Sequence, residues 1–403
     1  MACYTAPAMP VETSRPRILL AWEGGAGRGH VMTLRDIAEA LGAEAICDAA
    51  LCRMDHAKEL EPYCDSVFQG ARLSTNRSRR EAAGNPHVAT WGDFLGDLNF
   101  WNPQFLIAQI KWWLETIKAR KSRLIIADFA PCAQLAAQIA GIPSVAVGTG
   151  YSVPPSGLDS FPILLPEYSK RVFAEEELLR AVNMALAHFG GGLLARLSDI
   201  YAGSTAMPRT IAGLDPYWTA RQAPPLPPLD GRLPRPDGSG EEIFFYFSTS
   251  ETENQALVDA LIGLELPMRA YIPGATASVR ALFAEAGMSV EERPVSFEAI
   301  NRRSRLLLHS GQHGTLCMGL GMGLGQVAFP QHLEHLFHAR RAADLAPVRI
   351  VGDGARDADE ISAAIMEAYE TGGGDAAAAE KLRADLFGDA GAVARARILP
   401  LIQ

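Results

Sequence analysis

Two residues in the N-terminal half of the chain have the types that acid–base chemistry needs. His30 ends a glycine-rich turn, EGGAGRGH (23–30), and Asp128 ends an apolar run, LIIAD (124–128). A carboxylate on one imidazole nitrogen fixes the tautomer and makes the other nitrogen a better general base. Each residue also has a plainer reading: a turn histidine bonded to backbone, and a helix N-cap just before Pro131. The glycines exclude two common chemistries. In a dinucleotide fingerprint, a third glycine would stand where His30 does. Gly24 and Gly29 have P-loop separation, but His30-Val31 replaces the Lys-Ser/Thr pair that binds phosphate and magnesium. Neither a dehydrogenase nor a P-loop ATPase is supported.

The flanking segments must position these two side chains. ILLAW (18–22) is a short apolar run, as expected of a strand buried on both faces. After the glycines, Leu34, Ile37, Ala38 and Leu41 recur at helical spacing, and Gly42 follows as a stop. The unit repeats at RLIIADFAPCAQLAAQIAGIPSVAVG (123–148): strand, a helix opened by Pro131, a stop at Gly141 and Pro143, then strand. Alternating units of this kind imply a mostly parallel α/β sheet, whose chemistry sits at the C-terminal strand edge where Asp128 lies.

A stretch rich in Pro and Gly, 211–240, reads as an interdomain linker, after which the pattern restarts. EIFFYF (242–247), MRAYIP (268–273), RLLLHS (305–310) and QVAFP (326–330) are strands, and ENQALVDALIGLE (253–265) is a helix. The expected organisation is an extended N-terminus (1–16), a Rossmann-like domain (17–210), the linker (211–240), a second Rossmann-like domain (241–385) and a C-terminal helix (386–403) that packs back on the first domain. A cleft between such domains is the default place for a ligand.

Bulk properties narrow the classes further. With 48% hydrophobic and 21% charged residues over 403 positions, the chain is globular rather than disordered. Its net charge of −9 is spread out, and no basic block marks nucleic acid as a partner. The densest basic run, TNRSRR (75–80), reads as a solvated surface loop. The six cysteines lack metal or disulfide spacing and read as reduced thiols. The first sixteen residues lack the pattern of a signal peptide, and no apolar run reaches membrane-spanning length. The expectation is a soluble cytoplasmic protein acting on small molecules, with a homodimer left open.

Four stretches in order resemble one family, the family 1 (UDP-glycosyltransferase-like) enzymes of the GT-B fold, and more distantly the glycosyltransferase of lipid II synthesis. They are GRGHVMTLRDIAEAL (27–41), IIADFAPCAQLAAQIAGIPSVAVGTG (125–150), TIAGLDPY (210–217) and the long run from Val295 to Leu345 that follows the donor-binding signature. The resemblance implies an α/β GT-B fold of two Rossmann-like domains, and inverting transfer of a sugar from a UDP- or TDP-linked donor without a metal cofactor. It places His30 as base and Asp128 as its partner. The donor would meet Ser248, Thr249 and Ser250 after the first strand of the second domain. It would also meet Val295, His309, Ser310, Gly311, Gln312, His313, Gly314, Thr315, Met318, Glu334 and His335 within the signature. The acceptor would lie against Gly27, Gly29, Trp91, Phe94 and Trp101.

The donor half departs from the family pattern. In the register set by Gly314 and Thr315, the phosphate-contacting histidine falls on Ser310, and the glutamate that grips the ribose falls on Met318. The Asp/Glu-Gln pair that reads the sugar becomes Glu334-His335, and the second glycine of the turn becomes Gln312. These changes leave open an altered donor, a donor site completed by a partner, or a scaffold without transfer activity. A nucleotide-sugar 2-epimerase is a further alternative, disfavoured by the aromatic segment 87–113, which suits a large apolar acceptor. His332, His335 and His338 recur every third residue, but a donor-facing helix turn explains them better than a metal site.

Overall fold

A computed structural model of the chain describes residues 15–25, 27–230, 234–247, 250–352, 357–371 and 374–403. The first domain holds β1 (Arg17–Trp22), β2 (Ile46–Leu51), β3 (Ser66–Gln69), β4 (Leu124–Asp128), β5 (Ser144–Gly148) and β6 (Ser204–Pro208). They form one parallel sheet in the order β3-β2-β1-β4-β5-β6. After a two-residue strand β7 (Leu229–Asp230), the second domain repeats the plan. Its strands are β8 (Glu242–Tyr246), β9 (Met268–Tyr271), β10 (Ser289–Glu291), β11 (Ser304–His309), β12 (Gly325–Ala328) and β13 (Val348–Ile350). Their order is β10-β9-β8-β11-β12-β13, again all parallel.

Strand order reverses between β1 and β4 in one sheet and between β8 and β11 in the other. At such a switch point the helices leave to opposite faces and open a crevice beyond the strand ends. Trp22 of β1 lies in register with Asp128 of β4, so the loop carrying His30 and the end of β4 emerge side by side. β1 from Ile18 and β4 up to Ala127 are apolar because helices cover both faces of the sheet.

The helix Arg28–Leu41 buries Val31, Leu34, Ile37, Ala38 and Leu41 against this sheet, and Gly42 caps it. Each fully buried Val, Leu or Ile stabilises the fold by about 1.5–3 kcal/mol, so this one face anchors the helix that carries His30. The C-terminal helix Ala390–Ile402 adds Ala394, Ile398 and Ile402 to the same core. The chain thus crosses between the domains twice, and β14 (Phe387–Gly388) pairs with β7 on the way back.

Parts of the linker are more ordered than its composition implies. Ala212–Leu214 and Trp218–Ala220 form single 3-10 turns, and Leu214 and Tyr217 are buried. A buried Arg221–Asp215 pair holds the segment, with Arg221 also donating to the Gly150 and Val153 carbonyls.

The basic run TNRSRR is not the solvated loop expected from its composition. Ser78–Ala82 is a short helix, and Arg80, 1% exposed, pairs with both Asp93 and Asp97. Arg79 lies over the rings of Trp101 and Phe173 and pairs with Glu177. Long-range carboxylates, invisible in local composition, drew one of these charges inside.

Candidate active site

His30 sits in the first turn of its helix, directly after the glycines. Gly25 and Gly27 have φ of 85° and 96°, where an L side chain is strained. Gly25 is needed for space as well, because a Cβ there would lie 2.7 Å from His30 Nε2. Trp22 stacks on the imidazole with ring centroids 5.2 Å apart. Phe129, at φ 46°, turns the chain sharply after Asp128 and adds a second ring beside His30.

Asp128 meets the imidazole squarely. His30 Nδ1 lies 2.7 Å from Asp128 Oδ1; the carboxylate is 1% exposed and the histidine side chain 22%. A buried carboxylate at this distance holds the proton on Nδ1 and leaves Nε2 as the basic nitrogen. Desolvation pulls the His30 pKa down, but the charge and hydrogen bond of Asp128, with the charge of Glu334, raise it above the ordinary value on balance.

Asp128 does not cap the helix that follows it. That helix, Pro131–Ala140, starts at Ala130 with no side-chain cap of its own. Glu23, fully buried at the end of β1, takes the role: its carboxylate accepts from the Cys132 amide at 2.9 Å and from the Trp113 indole. Burial pushes the Glu23 carboxyl up to about 8, against the pull of these hydrogen bonds. With the helix start satisfied by Glu23, Asp128 is free for His30.

The two domains enclose a cleft of about 2180 Å³. From the first domain, Gly27, Gly29, His30, Trp91, Phe94 and Asp128 line it. From the second come Gln312, His313, Gly314, Thr315, Met318, Glu334 and His335. The helix His313–Met322 presents an N-terminus with no side-chain cap, a ready anion site by its free amides and dipole. Across the cleft the Thr149 hydroxyl donates to Glu334 at 2.9 Å. Burial lifts the Glu334 carboxyl to about 6, with Thr149 and the charge of His30 pulling it down and Asp128 pushing it up.

The remaining sequence-designated residues lie outside the cleft wall. Trp101 is half-buried under Arg79, and Val295 packs on the second core. His309 is fully buried, bonded to Gln326 Oε1 through Nε2 and accepting the Gly311 amide at Nδ1. Burial holds its imidazole near 4, so it is neutral. Gly311, at φ 89°, packs so closely that a Cβ would come within 2.7 Å of the His335 carbonyl. The Ser310 hydroxyl is buried and donates to Glu251, and Gln312 Nε2 donates to Ser310 Oγ at 2.8 Å. Ser250 reaches the Gln331 carbonyl oxygen of the side chain at 3.1 Å. Ser248 and Thr249 lie outside the described residues.

The rings of His332 and His335 lie 3.7 Å apart, tilted by 33° to one another. Among the described residues, no group of three or more His, Cys, Asp or Glu is arranged to hold a metal ion. Likewise, no helix among them is long and apolar enough to cross a membrane. Local sequence reasoning missed Thr149, Glu251 and Glu23. Thr149 follows β5 on the cleft wall and Glu251 lies buried in the loop after β8; their place just beyond C-terminal strand ends is the signal that could have found them.

No protein-family model matches the chain, and no curated protein matches it by sequence. Solved structures do. The spinosyn rhamnosyltransferase SpnG complexed with spinosyn aglycone superposes with a TM-score of 0.63 at 17% identity, over 95% of this chain and 100% of that one. The glycosyltransferase VinC in complex with dTDP gives 0.60 at 16% identity, over 96% and 99%. SnogD from Streptomyces nogalater, also a glycosyltransferase, gives 0.59 at 14% identity, over 96% and 99%. The chain therefore has the GT-B fold: two Rossmann-like domains, each a parallel sheet flanked by helices.

Proposed function

We propose that the protein is an inverting glycosyltransferase. It moves a sugar from a UDP- or TDP-linked donor to a hydroxyl or amine of a small, largely apolar acceptor. The observation that carries this is the 2.7 Å contact between His30 and Asp128 on the wall of the interdomain cleft. The similar structures support it, since they are named as glycosyltransferases and one holds dTDP.

In the reaction, His30 Nε2 takes the acceptor proton as the acceptor oxygen or nitrogen bonds to the anomeric carbon. The bond from that carbon to the diphosphate breaks on the opposite face, which inverts the configuration. Asp128 stabilises the imidazolium that forms. The diphosphate leaves toward the amides at the start of His313–Met322, beside Gly314 and Thr315, which stabilise its charge. Glu334, held by Thr149, faces the sugar hydroxyls. Holding both substrates in line across the cleft supplies much of the rate.

A second reading, a GT-B protein that binds nucleotide sugar without transfer or needs a partner for it, is favoured by one contact. Glu251 places a carboxylate against the Ser310 hydroxyl, at the turn where a phosphate would be expected. Thermal shift with UDP-, TDP- and GDP-sugars, followed by turnover in wild type and His30→Ala, separates the two. Stabilisation by a donor with turnover lost in His30→Ala supports transfer. Stabilisation without turnover in wild type supports the second reading, and no stabilisation by any donor defeats both.

A further inference from the structure

The helix Trp91–Asp97 presents Trp91, Phe94 and Asp97 at successive intervals of three residues, so they share one face. All three line the cleft. Trp91 and Phe94 have ring centroids 5.7 Å apart, and Tyr151 closes on Trp91 edge-on at 5.0 Å. Phe129, which flanks His30, lies 5.3 Å from Trp91 and 5.9 Å from Phe94. The base therefore adjoins a wall of four aromatic rings that ends in a carboxylate.

That carboxylate is only half used. Asp97 is 3% exposed, and its Oδ2 accepts from Arg80 Nε at 2.7 Å. Its Oδ1 is buried with no hydrogen-bond partner among the described residues. Arg80 also serves Asp93, whose oxygens are satisfied by Arg80 and by the amides of Ala89, Val172 and Phe173. One guanidinium thus faces two carboxylates, and the surplus negative charge falls to Asp97. Arg77 acts on Asp97 only at longer range and gives a hydrogen bond to the Pro86 carbonyl at 2.7 Å. A buried, unpartnered carboxylate oxygen costs free energy unless a donor reaches it. Phe94, one turn before Asp97 on the same helix face, adds a ring whose quadrupole would attract a cation there.

We infer that the acceptor of this protein carries a basic amine, whose ammonium group is bound by Asp97 Oδ1 beside the ring of Phe94. This rests on the transferase reading for the word acceptor, but the subsite itself does not depend on transfer. It makes the acceptor an apolar or aromatic molecule with a protonated nitrogen at some distance from the atom that receives the sugar. The nitrogen at Asp97 is held as a cation and cannot act as the nucleophile there, so the nucleophile is a separate group presented to His30.

The test uses the full chain and a matched pair of probes, tryptamine and its neutral counterpart tryptophol, with dissociation constants measured by titration calorimetry. Tryptamine is expected to bind about ten-fold tighter than tryptophol, in line with a charge-assisted hydrogen bond plus a cation–π contact. In Asp97→Asn the preference should fall to about two-fold or less. Phe94→Leu, which leaves the Arg80 pairs untouched, should weaken tryptamine several-fold more than tryptophol and decides the matter if Asp97→Asn fails to fold. Equal affinities in wild type, or a preference that survives in the folded variants, overturns the subsite. UDP and TDP binding is measured in parallel. A chain that binds either diphosphate but does not prefer tryptamine keeps the transferase reading and loses the subsite. One that prefers tryptamine but binds neither diphosphate keeps the subsite and loses the transferase reading.

Discussion

The Thr149 hydroxyl of the first domain donates a 2.9 Å hydrogen bond to Glu334 of the second, across 185 residues of sequence. Glu334 in turn acts on the charge of His30. The group proposed to face the donor sugar is thus tied to the domain that carries His30. Thr149→Val removes the hydroxyl and keeps the shape. The Michaelis constant for the donor should rise roughly five-fold, the effect of one hydrogen bond of about 1 kcal/mol, with a smaller change in kcat. An unchanged donor constant in steady-state kinetics would show that Glu334 is held by something else.

Under the proposed transfer mechanism, the Asp128–His30 pair sets a pH limb. His30 acts as a base only when neutral, so activity should rise with pH through its raised pKa. Because Asp128 is a main cause of that rise, Asp128→Asn should move the limb to lower pH and lower kcat by about 10²–10⁴. The pair's contribution to stability runs the other way: it is complete below the unfolded value of about 6.5 and is lost as pH rises through the folded value. A pH–rate profile that does not shift in Asp128→Asn would deny the carboxylate its proposed role.

Gly25→Ala puts a Cβ on the Nε2 side of His30 at a backbone angle that suits glycine. The expected cost is about 1–2 kcal/mol of stability, with a larger loss of turnover because the imidazole must rotate off Asp128. Thermal melts and single-turnover rates together separate the two effects. A variant with wild-type turnover would show that the space beside Nε2 is not used.

Arg80 neutralises two buried carboxylates. Arg80→Met should destabilise the chain by about 3–5 kcal/mol, since both Asp93 and Asp97 lose their charged partner. Denaturant titration measures this directly. A loss below about 1 kcal/mol, the scale of an exposed pair, would place Arg80 at the surface after all.

Glu23 gives stability its own pH dependence. Its carboxyl is raised by burial to about 8 from 4.5. The folded state therefore holds a proton that the unfolded state releases, and stability falls as pH rises between those values. Glu23→Gln cannot ionise, and loses one acceptor for the Cys132 and Trp113 donors. It should melt lower than wild type at pH about 5 but show a flatter decline toward pH about 8. Parallel slopes in melts across this range would mean that Glu23 does not titrate there.

What the sequence determined by itself was local. Leu34, Ile37, Ala38 and Leu41 mark one helix face by spacing alone, and LIIAD reads as a fully covered strand, because helical and strand periods are written in neighbouring residues. The restart of the pattern after a Pro-rich stretch gave the two-domain plan for the same reason. Strands β2, β3 and β6 carried weaker local signals and escaped that reading. The tertiary structure decided which distant groups meet. His30 and Asp128 are 98 residues apart, and only the adjacency of β1 and β4 brings them to 2.7 Å. Whether Asp128 caps the following helix or bonds to His30 turned on Glu23, which follows a different strand, β1. Arg80 went inside because Asp93 and Asp97 were there to receive it. The free energy of a buried charge depends on its partners and its burial, and neither is a property of the segment that carries it.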